Sequence, residues 1–284
     1  MTSRVTLNVF SGRPNPTWLL SEQEEEELAA KLQALEELTV QRPSGIYGGL
    51  GYRGFAVTRG PDHPQGALSV RVHEGIVERG AAILNAVDRP GLETWLADKA
   101  QSHVSAAVLE LVRTSMAQPT QFQIPATAAV ACPQCHAADA PVYNPGAWNV
   151  PAVQPSNNCY NYANDHVTNT FAQPGRATGH QYTALTCQVV QPAAQSDGLR
   201  AVSNFTAPLA AGQGWYVALV IWPNADFHWY RQDKVGCWSH KPGSTPVRNV
   251  DNAGNPITNP QTCNRGPYVN FCTFMVTHRG VSIR

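Results

Sequence analysis

Residues 215–240 read WYVALVIWPNADFHWYRQDKVGCWSH, and their pattern decides the second half of the chain. An unbroken apolar run, 215–221, is bounded by the turn-forming Pro-Asn-Ala-Asp of 223–226. Phe-His-Trp-Tyr-Arg follows at 227–231, then Lys-Val-Gly, then Cys-Trp-Ser-His at 237–240. Short runs rich in aromatic and branched residues, separated by turn residues, predict an antiparallel meander of two or three strands. In an extended strand Phe227 and Trp229 share one face and His228 takes the other. His240 lies twelve residues further on. A tight hairpin of that span places the two imidazoles on neighbouring strands and on the same face.

Upstream, 155–179 read PSNNCYNYANDHVTNTFAQPGRATG. Small polar residues precede Cys159, and a helix-compatible stretch follows until Gly175 ends it. A helix start stabilises a thiolate through the positive end of its dipole. Asn157 and Asn158 can point amide donors at a developing oxyanion, or Asn158 can simply cap the helix. His166 falls about two turns into that helix and reads as a surface residue. His180 lies in a Gly-rich loop. Asp226 and Asp251 are alternative orienting groups for a histidine. A further apolar strand is expected near 268–276 (YVNFCTFMV).

The first half reads differently. Residues 4–10 alternate as a strand, which the GRPNP of 12–16 breaks. Ser21 and Glu24 form a capping-box pair ahead of a helix over 22–38 with Leu28, Leu32 and Leu35 on one face. The acidic residues Glu22 and Glu24 to Glu27 read as a solvated face. Gly45 to Gly54 is glycine-rich but lacks a phosphate-loop Lys-Ser/Thr, so a bend between β segments is expected. Strands follow at 54–58 and 67–72, then a helix over 91–115 in which His103 is a surface or core-edge residue. The organisation expected is a small accessory α+β domain over 1–115, a Pro/Ala-rich linker over 116–150, and a functional domain over 151–284.

Composition narrows the classes. The 20 basic and 20 acidic residues cancel, and no basic cluster suggests nucleic acid. No apolar run is long enough for a membrane span. The N-terminal MTSRVTLNVFSGRPNP lacks a signal-peptide core, which predicts a cytoplasmic protein, with signal-less secretion as the other route. All seven cysteines lie beyond residue 131, at 132, 135, 159, 187, 237, 263 and 272. An odd count leaves at least one thiol free if the rest pair, and Cys159 is the candidate.

A Cys at a helix start, a later His on a strand and a third polar residue on the next strand resemble the NlpC/P60 group of papain-like cysteine peptidases and the related CHAP amidases. That resemblance implies an α+β fold in which a Cys-bearing helix packs on an antiparallel sheet. It implies Cys159 as nucleophile, His228 as general base and acid, and His240 as the orienting residue. The activity implied is hydrolysis or acyl transfer at a peptide or amide bond through a thioester, with a peptide or protein substrate and no cofactor. The rival reading is a metal module. It takes either the Cys132-Pro-Gln-Cys135 knuckle, or Cys159, His228 and His240 together, as ligands for copper or zinc. A third reading is a disulfide-stabilised binding domain with neither chemistry.

Overall fold

A computed structural model describes residues 2–37, 49–79, 84–117 and 131–284. Leu38, residues 45–48 of the glycine-rich stretch and residues 118–130 of the expected linker lie outside the described residues. The helix expected over 22–38 ends earlier, at Gln33, and Glu36–Glu37 is a strand, so Leu35 lies beyond the helix. Two compact units divide the chain. The first comprises Met1–Val9, Asn15–Tyr47 and Gly51–Gln121, and the second Phe10–Pro14, Gly48–Leu50 and Phe122–Arg284. The class is α+β, with antiparallel sheets in both units.

In the first unit the elements run β1 (Arg4–Leu7), β2 (Thr17–Leu19), α1 (Glu22–Gln33), β3 (Glu36–Glu37), β4 (Phe55–Arg59), β5 (Leu68–His73), β6 (Ile76–Arg79), β7 (Leu84–Val87), α2 (Leu92–Lys99) and α3 (Ala106–Ala117). The seven strands form one sheet in the order β2-β1-β4-β5-β6-β7-β3. Alternate residues of its central strands, Val5, Leu7, Val57, Val70 and Val72, are buried, as period-two patterning requires. The Ser21–Glu24 capping box forms in both directions at the start of α1.

Two further expectations fail in this unit. Glu25 is not on a solvated face. It is buried, accepts from the Ser3 backbone N–H and hydroxyl, and pairs with Arg59 at 3.2 Å. The single helix expected over 91–115 is instead two, because a 3-10 turn at Ala100–Ser102 interrupts it and α3 begins anew after Ser105. His103 at that break stacks on Trp18, ring centroids 4.7 Å apart.

In the second unit come α4 (Pro145–Trp148), α5 (Cys159–Ala163), α6 (Cys187–Ser196), β8 (Arg200–Val202), β9 (Trp215–Trp222), β10 (Asp226–Gln232), β11 (Trp238–His240) and β12 (Asn270–Thr277). The five strands order as β11-β10-β9-β12-β8, all antiparallel. Every residue of β9 and β10 is buried. The unbroken apolar and aromatic sequence of β9 fits a strand buried along its whole length, while β10 buries Asp226, His228, Arg231 and Gln232 among its aromatics. α5 packs on β10 and β11, while α6 packs on β9 and β12. The helix of Cys159 is therefore short. It ends at Ala163, so His166 lies beyond it rather than two turns inside.

Two disulfides tie this unit, Cys132–Cys237 and Cys187–Cys272. The second joins the first residue of α6 to β12. The register of β12 against β9 slips between Phe271 and Thr273, which leaves Cys272 without a partner across the ladder. Such a bulge re-aims a side chain, here toward the helix it cross-links.

Candidate functional site

The approach to α5 is set by paired asparagines. The Asn158 side-chain oxygen accepts the Tyr160 and Asn161 N–H groups at 3.0 and 3.1 Å, and Asn161 Oδ1 accepts the Asn158 N–H at 3.2 Å. Both amide hydrogens of Asn158 go to backbone carbonyls, those of Gly12 and Ala172, each at 2.7 Å. Asn157 is equally occupied, donating to Val153 O and Asn169 Oδ1 and accepting the Thr168 and Asn169 N–H groups. With their donors so used, these side chains are a scaffold for the helix start.

Buried charges hold the same region. Lys241 is fully buried, and its ammonium donates to the carbonyls of Gln154 and Asn157 at 2.6 Å and of Gly243 at 2.7 Å. Gly243 takes a positive φ of 57°, and a Cβ there would sit 2.7 Å from Phe10 O, so the Lys-Pro-Gly turn requires glycine. Asp226, also fully buried, accepts from the backbone N–H groups of Ser11, Gly12 and Arg13 and from the Tyr268 hydroxyl. Burial raises its carboxyl above the ordinary range, while these donors oppose that rise. Asp251 organises a loop instead, accepting the N–H groups of Ala253, Asn255 and Asn264.

His228 on β10 and His240 on β11 are brought together, as the meander predicted, with Nε2 of the first 2.9 Å from Nδ1 of the second. His240 Nε2 lies 3.1 Å from the Val250 carbonyl, which can only accept. That contact assigns the proton to His240 Nε2 when the ring is neutral. His240 Nδ1 is then the acceptor, and His228 Nε2–H donates to it. Tyr230, opposite His240 in the ladder, stacks on it with centroids 5.0 Å apart.

Cys159 is the first residue of α5 and is wholly inaccessible. Burial pushes its thiol well above its ordinary range and the Asp226 carboxylate adds to that. A hydrogen bond from the Trp229 N–H and the nearby Lys241 charge oppose the rise without cancelling it. The low thiol pKa expected from the helix dipole is thus overridden by desolvation, and a five-residue helix contributes little dipole. Native protein treated with iodoacetamide is expected to carry label on Cys135 long before Cys159 at any pH up to 9. The two rates should converge only in denaturant. Fast labelling of Cys159 at neutral pH in folded protein would contradict this account.

The metal reading is corrected at the knuckle, because Cys132 is spent in a disulfide with Cys237 while Cys135 remains a free thiol. Among the described residues no three His, Cys, Asp or Glu side chains are grouped to hold a metal ion. Nor is any described helix long and apolar enough to cross a membrane.

The second unit is thus an α+β module of closed packing with buried, hydrogen-bonded charges, cross-linked by disulfides. The chain belongs to the family of Insoluble matrix shell protein 1 of Ruditapes philippinarum. The two are 48% identical over 129 residues, covering 45% of this chain and 84% of that protein. No protein-family model and no solved structure matches the chain. The resemblance to NlpC/P60 peptidases accordingly rests on the order of Cys159, His228 and His240 alone.

These findings correct the functional expectation. A cysteine hydrolase or acyl transferase acting on a peptide or amide bond does not fit a family whose related member is an insoluble matrix shell protein. It also asks for an accessible, activated thiol, and Cys159 is neither. The peptide or protein substrate falls with it. The cytoplasmic location is corrected too, since two disulfides are the product of an oxidising compartment.

Proposed function

We propose that this chain is a secreted, non-catalytic structural protein of an extracellular matrix. The observation that carries the reading is the pair of disulfides, which join residues 105 and 85 positions apart within one unit. Cross-links of that span act chiefly on the unfolded chain, and they favour persistence where no chaperone or reductant is present. The interior supports the same reading. Lys241, Asp226, Arg231 and the His228–His240 pair are all buried and bonded to neighbours, an arrangement that holds one rigid structure. Kinship with a protein described as an insoluble matrix shell protein supplies the setting.

The test is fractionation of the producing organism with thiols blocked at lysis. The protein is expected outside the cell, in material resistant to salt extraction. Cys132, Cys187, Cys237 and Cys272 should become alkylatable only after reduction. Recovery from the cytosol with all seven cysteines alkylated before reduction would overturn the proposal.

A further inference from the structure

Asn204-Phe205-Thr206 is the one place in the chain where Asn, a residue other than Pro, and Ser or Thr follow one another. Asn15 also stands two positions before a hydroxyl residue, but Pro16 separates it from Thr17. The triplet lies in the connection from β8 to β9. Asn204 and Thr206 are exposed. Phe205 between them is half-buried, its ring centroid 5.4 Å from that of Trp238 and 5.1 Å from that of Phe274. The aromatic side chain thus anchors the loop while the residues on either side of it stay in solvent.

Within the triplet, Asn204 Oδ1 accepts two hydrogen bonds from Thr206, one from the backbone N–H at 3.0 Å and one from the hydroxyl at 2.9 Å. A side chain bonded to the backbone two residues on is an Asx-turn. A backbone N–H can only donate, so the oxygen of the Asn204 amide is the atom turned toward Thr206. The nitrogen Nδ2 is on the opposite side and makes no hydrogen bond to the described residues. Asn15 differs, since its Nδ2 donates to Asn8 Oδ1 at 3.2 Å and its Oδ1 accepts the Val9 N–H at 3.0 Å.

We infer that Asn204 is a site of N-linked glycosylation, an inference that rests on the secreted reading above. The co-substrate is an oligosaccharide carried on a polyprenyl diphosphate and delivered by a transferase of the secretory pathway. Asn204 Nδ2 bonds to the anomeric carbon of the first sugar, and the bond from that carbon to the diphosphate oxygen breaks. The diphosphate leaves with the electron pair, and the nitrogen gives up one of its two protons. The side chain remains an amide, so no oxidant or reductant is consumed.

The position has a consequence for the sheet. β8 is an edge strand, at one end of the order β11-β10-β9-β12-β8, and Asn204 stands two residues past its last residue, Val202. A bulky, hydrated glycan there shields an edge that would otherwise be open to pairing with another chain.

Protein recovered from the extracellular fraction is first mapped for its disulfides. It is then digested, and the peptides are treated with peptide N-glycosidase in heavy-oxygen water. Asn204 is expected as isotopically labelled Asp, with Asn15 unchanged. Asn204→Gln and Thr206→Ala should lack the glycan entirely, and Thr206→Ser should carry it, with both disulfides formed in all three. Unlabelled Asn204 in extracellular, disulfide-bonded protein overturns the glycosylation alone, as does a glycan that persists in Thr206→Ala. Reduced protein recovered only from the cytosol overturns the secreted reading and this inference with it.

Discussion

Arg231→Ala is expected to lower the unfolding free energy of the second unit by about 3–5 kcal/mol, the usual loss when one partner of a buried ion pair is removed. Arg231 and Asp233 side chains are only 1% and 2% exposed, with Nη2 3.0 Å from Oδ1. The guanidinium also donates to the Tyr162 carbonyl at 3.2 Å and its hydroxyl at 2.9 Å, lies 4.0 Å over that ring and reaches Asp165 at 3.2 Å. It thereby ties β10 to the end of α5. Truncation strands the Asp233 carboxylate inside, where burial already raises its proton affinity and Arg231, with a lesser part from Ser239, opposes that.

A carboxyl whose folded-state affinity is raised holds its proton when the unfolded chain, near pH 4, has lost it, so stability falls as pH rises through that window. The deficit of Arg231→Ala should therefore shrink as the pH is lowered through it. Urea unfolding followed by Trp fluorescence reads this unit, because Trp148, Trp215, Trp222, Trp229 and Trp238 belong to it. Arg231→Met with Asp233→Leu should recover much of the loss, since neither charge remains buried. A single-variant loss below about 1 kcal/mol would mean that the pair is not a determinant of the fold.

The second large effect is expected from Cys187→Ala with Cys272→Ala. Chain-entropy arguments assign a cross-link of this span about 4–5 kcal/mol, and measured losses commonly fall between about 2 and 5 kcal/mol. The bridge fastens the start of α6, which packs on β9 and β12, and α6 carries Pro192 in its interior. An internal proline removes a helical hydrogen bond, so α6 depends on its tertiary anchors more than an ordinary helix does. The double variant should still fold under native conditions with its urea midpoint lowered. An unchanged midpoint would show that packing alone holds α6.

Much of the fold was legible locally. The 215–240 meander appears as β9, β10 and β11, with His228 and His240 on neighbouring strands, because strand periodicity and turn chemistry are properties of a few adjacent residues. The Ser21–Glu24 cap formed for the same reason. The break between α2 and α3 was missed because Leu92, Leu96 and Val108 continue a helical rhythm across it, though Ser105, whose hydroxyl accepts the Val108 N–H at 3.5 Å, marks a new start.

The site was less legible than the sheet. Cys159, His228 and His240 have the order of a hydrolase, and residue order carries no information on burial. Whether a thiol at a helix start is a thiolate depends on how much water the surrounding chain removes, and here all of it is removed. The acceptor for Ser11, Gly12 and Arg13 is Asp226, more than 200 residues away, and no local pattern announces such a pair. Cysteine connectivity is of the same kind. Seven thiols allow many pairings, and only the meeting of Cys237 with Cys132, and of a bulged Cys272 with the first residue of α6, selected these.

Sequence alone thus determined the α+β class, the strands of the meander and the cap of α1, since each follows from backbone sterics and side-chain periodicity over a few residues. Tertiary structure decided which cysteines are bonded, which charges are buried and that Cys159 is sealed, because desolvation and cross-linking depend on residues distant in the chain converging on one point.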